Sequence, residues 1–534
     1  MMKGKKWRGA AAGLAAAVAL MGCTACSGGN EAGSAEVDLT GEIPENLTIF
    51  CNLGANVSSA GGSSWNDTMT FQLMEEKTGC HVEWQHPASG AAKERFNMMI
   101  VSGEYPDAIV YNWTDVNGGI ESYVADEVIV DLTPYIETCM PNFNKLLEEN
   151  PDFKKDVVTD DGRILAIPYI RNDEELCIFQ GTVIRQDWLD KLNLQAPTTP
   201  EELEQVLLAF KTQDPNGNGQ ADEIPWSAQG FDGVMGVGPL LWAFNTTYDF
   251  HLRDGEVVYG PLTPEFKEGL TFLAKLYSEG LIDPDYLTND RAKMDAKFTS
   301  DIAGFGYGFQ PSTYYPSMND GQKKVAGIGY LKSADGNNYC YNSAYTQPVM
   351  MSTSLAVTSS NPNVAGTLKW LDNFYGGDGV MYANYGEEGV SYEMVDGEPV
   401  FTEYMTNNPD GKTLAQMVGL TCAVRDSAFP MLQTWQYYKQ TLQPWGIEAI
   451  ENWMADEAHT ENILPLITRT QEESERYSEL MNPIKTYMQE QANKVITGAI
   501  TPDEWDAAVE EMKNMGIEEV VQIQNDAYDR YQQR

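Results

Sequence analysis

The chain has 534 residues with 78 acidic and 35 basic side chains, which gives a formal net charge of −43 at pH 7. This charge excludes nucleic acid as an expected partner, because the phosphate backbone would be repelled. Hydrophobic residues make up 42% of the chain and the acidic residues are dispersed along it, so the composition is that of a folded protein with large cores and a solvated exterior.

The first residues have the pattern of a secretory signal peptide. Four positive charges lie within the first eight residues, and an apolar run rich in alanine and leucine follows from Ala10 to Met21. At about twelve residues this run is shorter than the roughly twenty that cross a bilayer. We therefore expect residues 1–22 to be removed on export.

The end of the apolar run, Leu20-Met21-Gly22-Cys23, is similar to a bacterial lipobox. In that motif the cysteine is acylated and becomes the new N-terminus, so Cys23 is the expected lipid anchor. Cys26 is the alternative acylation site, and ordinary cleavage without acylation is the third reading. The expected location is the extracellular face of the cell membrane, with the chain held there by lipid.

Beyond the lipobox the sequence predicts a flexible tether and then an α/β lobe. Residues 23–45 are small and polar, as in flexible linkers. Strands and helices then alternate: strand 47–51, helix 67–78, strand 81–85, helix 91–102 and strand 107–111. This alternation predicts parallel β-α-β units with a ligand site at the carboxyl ends of the strands.

Helix boundaries further along the chain are marked by clear capping signals. Thr199-Pro200-Glu201-Glu202 and Thr501-Pro502-Asp503-Glu504 each combine a capping threonine, a proline at the first helical position and a glutamate at the third. Helices over 264–279 and 362–375 are expected to end at Gly280 and Gly376. The six cysteines of the expected mature domain are widely spaced, so their pairing is left open: Cys51, Cys80, Cys139, Cys177, Cys340 and Cys422.

Four stretches, taken in order, resemble the extracellular solute-binding proteins of family 1, the sugar-binding components of ABC importers. Within that family the chain is similar to the large oligosaccharide-binding lipoproteins related to alginate-oligosaccharide binders. The stretches are SGEYPDAIV at 102–110, GRILAIPY at 162–169, IRQDWLDKL at 184–192, and YGEEG at 385–389 with DGEPV at 396–400. The resemblance spans nearly the whole expected mature chain.

The resemblance implies a two-lobed α/β fold of the type II periplasmic-binding-protein kind, with discontinuous lobes and hinge crossings near residues 168, 348 and 428. The first lobe would then hold residues 46–167 and about 349–428, and the second 168–348 and about 429–534. The implied function is capture of a carbohydrate, in particular an oligosaccharide, for import. The implied partners are that carbohydrate and the permease subunits of an ABC transporter, and we expect a monomer.

The segment from Asp214 to Glu223 has the start of a calcium-binding loop. Oxygen-bearing side chains occupy loop positions 1, 3, 5 and 9, glycine occupies position 6, and a backbone carbonyl is available at position 7. Position 12 is Pro225, so the closing acid would be Glu223, as in a similar loop of the alginate-binding relatives. A metal-free turn is the alternative. The predicted ligands of a structural calcium ion are Asp214, Asn216, Asn218, Gln220, Asp222 and Glu223.

A sugar site needs flat aromatic faces for the apolar side of a pyranose and planar polar groups for its hydroxyls. Arg185 could bind an acidic sugar or make a strand-end ion pair. Core packing is the alternative for each aromatic residue. We expect Trp113 and Trp435 to face each other across the cleft. The other candidates, chosen because they follow strand ends, crossings or a glycine-rich loop, are Trp65, Asn66, Tyr111, Tyr169, Tyr307 and Phe309.

Enzyme signatures are largely missing from the sequence. It holds no GxSxG elbow, P-loop, HExxH or complete GxGxxG, so we do not expect an enzyme. His81 and His86 lie in or beside a strand without a third metal ligand in view, and we expect them to be structural. A secreted glycan-active enzyme, a binding protein for a non-sugar solute such as a peptide, and a surface structural protein are the competing interpretations.

Overall fold

The structure is a computed structural model that describes residues 37–314, 318, 324–454 and 460–534. The predicted signal peptide, Cys23, Cys26 and most of the predicted tether lie outside these residues. Within the described residues, no helix combines the length and the apolar character that crossing a membrane requires.

The strands belong to two larger sheets and two hairpins. They are β1 (Asn46–Phe50), β2 (His81–Gln85), β3 (Ala108–Tyr111), β4 (Ile167–Arg171), β5 (Gln180–Arg185), β6 (Ile224–Trp226), β7 (Phe250–Arg253), β8 (Glu256–Tyr259), β9 (Ala303–Phe309), β10 (Val325–Gly327), β11 (Val349–Val357), β12 (Tyr392–Val395), β13 (Glu398–Phe401) and β14 (Leu432–Gln433).

The α-helices surround these sheets. They are α1 (Ala55–Ser59), α2 (Met69–Thr78), α3 (Ala92–Ser102), α4 (Ile120–Ala125), α5 (Ile136–Cys139), α6 (Pro141–Glu149), α7 (Pro151–Val157), α8 (Gln186–Leu192), α9 (Pro200–Thr212), α10 (Pro264–Ser278), α11 (Arg291–Thr299), α12 (Val364–Asp372), α13 (Gly377–Tyr385), α14 (Glu403–Thr406), α15 (Leu414–Thr421), α16 (Trp435–Tyr438), α17 (Pro444–Met454), α18 (Gln471–Ile496), α19 (Trp505–Asn514) and α20 (Ile517–Gln532).

The first sheet has the strand order β14-β4-β11-β3-β1-β2. Strands β1, β2 and β3 are parallel, β11 runs antiparallel to its neighbours β3 and β4, and β14 is parallel to β4. Every strand except β11 therefore points the same way, and their carboxyl ends share one edge of the sheet. Parallel pairing needs crossover helices, which cover the sheet faces.

The second sheet has the order β10-β5-β9-β6. Strand β5 runs antiparallel to β10 and β9, and β6 is parallel to β9. The start of β5 therefore lies at the same edge as the carboxyl ends of β6, β9 and β10. The remaining strands form the hairpins β7–β8 and β12–β13.

Two large hydrophobic cores define two lobes. One core packs around the first sheet, with Ile49, Val110 and Leu355 among its buried members, and a smaller cluster lies under the same sheet. The other packs around the second sheet and includes Val183 and Phe305. The second core takes residues from 178–345 and again from 449–520, so each lobe is built from separate stretches of chain. The predicted two-lobed α/β fold is confirmed.

Strand pairing locates where the chain moves between the sheets. Strand β4 and strand β14 both pair within the first sheet, so the chain leaves that sheet after Arg171 and again after Gln433. It returns at Val349, where β11 begins. The exact lobe limits near residues 168, 348 and 428 stay predictions.

Several local predictions agree with the structure because their causes are local. Strand β2 covers the predicted residues 81–85, and helix α3 ends at Gly103, whose φ of 71° suits glycine. The Thr199 side chain accepts a hydrogen bond from the Glu202 N–H over 3.2 Å, and Thr501 forms a capping box with Glu504. The cysteines named above are buried free thiols.

Candidate ligand-binding site between the lobes

We define the interlobe edge by two sets of residues. In the first sheet it consists of the residues that follow β1, β3, β4 and β14. In the second sheet it consists of the residues at the start of β5 and at the ends of β6, β9 and β10. In the first sheet these positions share one edge because the strands run in the same direction. The connection 172–179 joins that edge to the matching edge of the second sheet. Carboxyl ends of strands are where α/β proteins bind ligands.

A stack of two aromatic rings between two guanidinium groups lies along the interlobe edge. The Arg171 guanidinium carbon lies 5.0 Å from the centroid of the Phe179 ring. The Phe179 and Phe309 rings stack at 6.1 Å with an interplanar angle of 29°. The Arg291 guanidinium carbon lies 4.0 Å from the Phe309 centroid. The faces of both rings are covered by these neighbours, but both rings are half-buried, so their exposed edges retain surface that a ligand can contact.

Trp435 lies at the same edge, at the start of α16. The backbone N–H of Trp435 donates a hydrogen bond to Asp173 Oδ2 over 2.6 Å, which holds α16 against the connection that follows β4. The half-buried ring packs against the second core and lies 6.0 Å from the ring of Tyr438. Tyr438 in turn packs against both cores. This segment therefore links the two lobes.

The charges of two arginines act on two tyrosines beside this segment. The buried Tyr169 hydroxyl donates a hydrogen bond to the Val424 carbonyl oxygen over 3.0 Å. Burial raises the pKa of Tyr169 and of Tyr438, and the positive charges of Arg171 and Arg425 oppose that rise at both hydroxyls. The two guanidinium groups therefore act on the same small region of the interlobe edge.

Five of the predicted sugar-contact residues are core residues, which corrects the expectation that they present a free surface. Trp65, Trp113, Tyr169, Arg185 and Tyr307 are each at most 3% exposed. Trp113 packs edge-on against Phe96 and Tyr123, at 5.6 and 5.5 Å between ring centroids. Its ring therefore has no open face toward Trp435, and the expected pairing of these two rings across a cleft is absent.

The other buried candidates have equally local explanations. Trp65 donates its indole N–H to the Asn52 carbonyl over 3.0 Å, and Tyr307 packs between Trp226 and Trp242. Of the two roles considered for Arg185, the structure shows the ion pair: its guanidinium group lies 2.6 Å from Asp187 and 2.9 Å from Asp301.

Asn66, Tyr111, Phe309 and Trp435 remain half-buried. The Asn66 side chain donates its NH2 group to the Val82 carbonyl and accepts the Trp84 indole N–H. The Tyr111 ring stacks on Phe96 at 4.0 Å between centroids. Phe309 and Trp435 are therefore the predicted residues that the structure places at the interlobe edge with ring surface available.

Sequence reasoning missed Arg171, Phe179, Arg291, Arg425 and Tyr438. Arg171 could have been found by the strand-end rule already applied to Trp113, and Phe179 by its place in the connection that follows the same strand. Arg171 ends the strand that contains the Ile167-Pro168-Tyr169 motif, and Phe179 immediately precedes β5. Arg291 and Arg425 lie on elements whose position in space depends on the fold of both lobes, so no sequence signal marks them.

The loop from Asp214 to Glu223 is closed by its own hydrogen bonds. The two carboxylate oxygens of Asp214 accept from the N–H groups of Gly217 and Gly219 over 2.9 and 3.2 Å. Asn216 and Asn218 donate their amide groups to Asp222 over 3.0 to 3.1 Å. These bonds hold Asn216, Asn218 and Asp222 together and fix Asp214 on the backbone of the same loop.

The fit of this loop to a cation can be tested on its acids. One carboxylate oxygen of Glu223, Oε1, is buried without a hydrogen-bond partner. Burial, and then the neighbouring carboxylates of Asp222 and Asp214, raise the pKa of Glu223. In the described residues, no group of three or more His, Cys, Asp and Glu side chains is arranged to hold a metal ion. The amide oxygens of Asn216 and Asn218 accept from the N–H groups of Asn218 and Gln220 over 3.0 and 2.7 Å, so they would join the set only if the loop rearranged.

A shallow surface depression of about 690 Å³ lies elsewhere, on the outer face of α3, where it is lined by Lys93, Glu94, Met98 and Val101 among others. None of its lining residues belongs to the second lobe. It is therefore separate from the interlobe edge.

Comparison with known proteins identifies the family. The chain matches the bacterial extracellular solute-binding protein family over residues 57–381, more than half of its length. It is 28% identical to the fructooligosaccharide ABC transporter substrate-binding protein FusA of Streptococcus pneumoniae serotype 4, with 99% of both chains covered. It is 26% identical to the lipoprotein LipO of Bacillus subtilis, over 64% of this chain and 66% of LipO.

Solved structures share the fold at lower sequence identity. FusA in complex with kestose has a TM-score of 0.73 and 24% identity, over 91% of this chain and 99% of FusA. An HMO-binding solute-binding protein from Bifidobacterium longum infantis has a TM-score of 0.75 and 22% identity, over 92% and 99%. Alginate-binding protein AlgQ2, solved without calcium ion, has a TM-score of 0.68 and 22% identity, over 91% and 98%. With the family match over residues 57–381, the two-lobed fold shows that the chain belongs to the bacterial extracellular solute-binding proteins.

Proposed function

We propose that this protein is the substrate-binding component of an ABC importer and that it captures an oligosaccharide between its two lobes. The observation that carries the proposal is the stack formed by Arg171, Phe179, Phe309 and Arg291 at the interlobe edge. The full-length similarity to FusA, a fructooligosaccharide-binding protein by name, supports the same ligand class.

The chemistry of this edge suits a sugar. Pyranose and furanose rings have one apolar face, which stacks on an aromatic ring, and hydroxyl groups around the rim, which bind planar donors. The half-buried Trp435 ring supplies such a face, and the exposed edges of Phe179 and Phe309 add apolar surface. Arg171 and Arg291 supply guanidinium donors at either end of the stack. The connection 172–179 crosses between lobes here, so closure by a hinge motion would enclose a ligand held at this edge.

Binding and turnover can be measured on the same sample. We expect calorimetric titration with a panel of fructo-oligosaccharides, HMOs and uronate oligosaccharides to find a ligand, and chromatography to recover it uncleaved. Cleavage of the ligand would favour a secreted glycan-active enzyme. Binding of peptides and of no glycan would favour the non-sugar alternative.

A pair of variants tests the location of the site. Phe309→Ala removes part of this apolar surface and the support that its ring gives to Phe179 and Arg291, so it should weaken binding about five- to tenfold. Phe272→Ala is the matched control, because Phe272 is a half-buried phenylalanine of the same lobe that packs on Phe244 at 5.9 Å. Its affinity should equal that of the parent. If the two variants bind alike, the ligand is not held on this stack.

We further propose that the 214–223 loop holds one structural calcium ion. The supporting observation is the buried and unpartnered Oε1 of Glu223 beside the carboxylates of Asp214 and Asp222. A hard divalent cation takes six to eight oxygen ligands, and these three acids would supply part of that set once the loop closed around the ion. A bound ion would offset the repulsion between these acids and stabilise the loop.

We also propose that Cys23 carries a lipid that holds the protein at the outer face of the membrane. The support is the Leu20-Met21-Gly22-Cys23 motif together with the similarity to the lipoprotein LipO. Acyl chains add about 0.8 kcal/mol of membrane affinity per buried methylene group. Mass spectrometry of the native N-terminus tests this: an unmodified Cys23, or acylation at Cys26, would contradict it.

A further inference from the structure

Arg171 and Arg425 differ from most arginines of this protein in having no carboxylate partner. Among the described residues, Arg163, Arg185, Arg253, Arg291, Arg476, Arg530 and Arg534 all make ion pairs with Asp or Glu. Neither Arg171 nor Arg425 makes one within that part of the chain. Both are half-buried at the interlobe edge. In a chain with 78 acidic residues, two such cations in one region need an explanation.

The acids closest to them in sequence are directed at other groups. Asp173, two residues after Arg171, accepts the Trp435 N–H over 2.6 Å. Asp426, the residue after Arg425, accepts from the Asn56 N–H over 2.9 Å and from its side-chain amide over 2.6 Å, at the start of α1. Glu174 is exposed and makes no ion pair with Arg171 in the described structure. The charges of the two arginines are therefore not neutralised by these neighbours.

The positions of the two guanidinium groups are held by contacts that leave anion-binding capacity. Arg171 stacks its flat face near Phe179 and also lies beside the buried Cys177 thiol. Arg425 makes a long contact of 3.5 Å from Nη1 to the Thr441 hydroxyl. Tyr169 lies two residues before Arg171, and its hydroxyl donates over 3.0 Å to the carbonyl of Val424, the residue before Arg425, so the two arginines share one neighbourhood. Both charges also oppose the rise in pKa of the Tyr169 and Tyr438 hydroxyls. A guanidinium group has five N–H donors in a planar fork, and these contacts use few of them.

We propose that Arg171 and Arg425 form a subsite for an anionic group of the bound sugar, either a carboxylate or a sulfate. This proposal rests on the proposed function. Two like charges in a half-buried region repel each other, and an anion between or beside them removes that cost. Arginine binds carboxylates through paired N–H donors, and such charge-assisted bonds are stronger than neutral ones. The ligand class is therefore an acidic oligosaccharide, and Arg291, which is paired with Asp295, is left for hydroxyl groups.

The test compares oligosaccharides of equal length by calorimetric titration: an oligogalacturonate, a sulfated galactan fragment and a neutral galactan fragment. We expect one of the two anionic ligands to bind at least about tenfold more tightly than the neutral one, with the preference reduced at high salt. Tighter binding of the oligogalacturonate would identify the anionic group as a carboxylate, and tighter binding of the sulfated galactan fragment would identify it as a sulfate. Preference for the neutral fragment would overturn the subsite and leave oligosaccharide capture standing.

Variants locate the preference on the two residues. Arg171→Gln and Arg425→Gln should each weaken the anionic ligand about tenfold and change the neutral one less than about twofold. Arg95→Gln is the control, because Arg95 is an exposed α3 arginine that also lacks an ion pair within the described residues. It follows β2, which lies at the opposite side of the first sheet from β4 and β14. If the glutamine variants retain the parental preference, the subsite is refuted.

Folding and the broader proposal are checked separately. A thermal melt of each variant shows whether it is folded, and Arg171→Lys and Arg425→Lys replace any glutamine variant that is not. The lysine variants keep the charge but lose the paired geometry, so they should retain only part of the preference. Failure of every glycan to bind the parent protein would refute oligosaccharide capture and the subsite together.

Discussion

Asp160 of the first lobe and Arg534 of the second lobe form an ion pair in which Arg534 Nη2 lies 2.5 Å from Asp160 Oδ1. Arg530 reaches the other oxygen of the same carboxylate, with Nε 2.8 Å from Oδ2. Nearby, the Tyr531 hydroxyl donates to Asp156 Oδ1 over 2.9 Å. The C-terminal end of helix α20 is thus joined to the end of α7 and the loop after it. This polar contact between the lobes involves residues far in sequence from those at which the chain crosses between the sheets.

Asp160→Asn should lower the free energy of unfolding by about 2 kcal/mol. The guanidinium group of Arg534 is buried, and a buried charge that loses its partner costs about 3–5 kcal/mol, which the partial exposure of Asp160 reduces. Urea unfolding measures the change. The control is Asp161→Asn, because Asp161 pairs with Arg163 on the exposed side and should cost less than about 1 kcal/mol. Equal losses in the two variants would show that Asp160 is an ordinary surface acid.

The architecture could be predicted because its signals are repeated and local. The strand at 81–85 lies between α2 and α3, which end at Gly79 and Gly103, and both glycines have a φ of 71°, in the left-handed region that suits a helix end. The capping threonines Thr199 and Thr501 act through neighbours three residues away. Such features depend on short stretches of sequence, so reading them needs no knowledge of the other lobe.

The site could be predicted only in part, because burial is decided by tertiary packing. Trp113 and Trp435 each follow a predicted strand or crossing, yet only Trp435 keeps exposed ring surface. Trp113 is covered by Tyr123 from α4, which the chain supplies after the strand has ended. The Phe179–Phe309 contact joins residues 130 positions apart across β5 and β9, and no local pattern reports it.

Trp113→Ala and Trp435→Ala should have opposite consequences. Trp113 is 2% exposed, so its removal leaves a cavity and should cost about 3–5 kcal/mol of unfolding free energy, with affinity for the ligand retained in the folded fraction. Trp435→Ala removes a half-buried ring at the interlobe edge and should weaken ligand binding severalfold with a smaller loss of stability. Melting curves and calorimetric titration on both variants give the comparison. Loss of affinity only in Trp113→Ala would reverse our assignment of the two residues.

Chelation of calcium should destabilise the parent protein through the 214–223 loop. Calcium at one hundred times its Kd would stabilise the folded state by about 2.7 kcal/mol, so EDTA should lower the melting temperature measurably. Asp214→Ala and Asp222→Ala should melt lower without EDTA and respond to it much less. Asp335→Ala is the control, since Asp335 lies in another polar turn of the second lobe, where it accepts the Tyr339 hydroxyl and the Asn337 N–H. An unchanged EDTA response in the Asp214 and Asp222 variants would place any calcium elsewhere.

The unfolding free energy should depend on pH through His251. Burial, and then the charge of Arg253, lower its pKa to about 4 from the model-compound value of 6.5, against opposing effects of the Asp249 backbone and the Glu265 carboxylate. The folded state therefore binds fewer protons than the unfolded chain between these two pH values. The unfolding free energy should fall as the pH drops through this window, and His251 contributes up to about 3 kcal/mol of that fall.

His251→Phe isolates this contribution from that of the many carboxylates. The imidazole is buried and lies edge-on to Tyr341 at 5.1 Å between centroids, so a phenyl ring of similar shape can replace it without adding a charge that must be buried. Urea unfolding of parent and variant from pH 7 to pH 4 should give curves that separate below about pH 6.5, with the variant losing less stability. Parallel curves over the whole range would mean that His251 titrates equally in the folded and unfolded states.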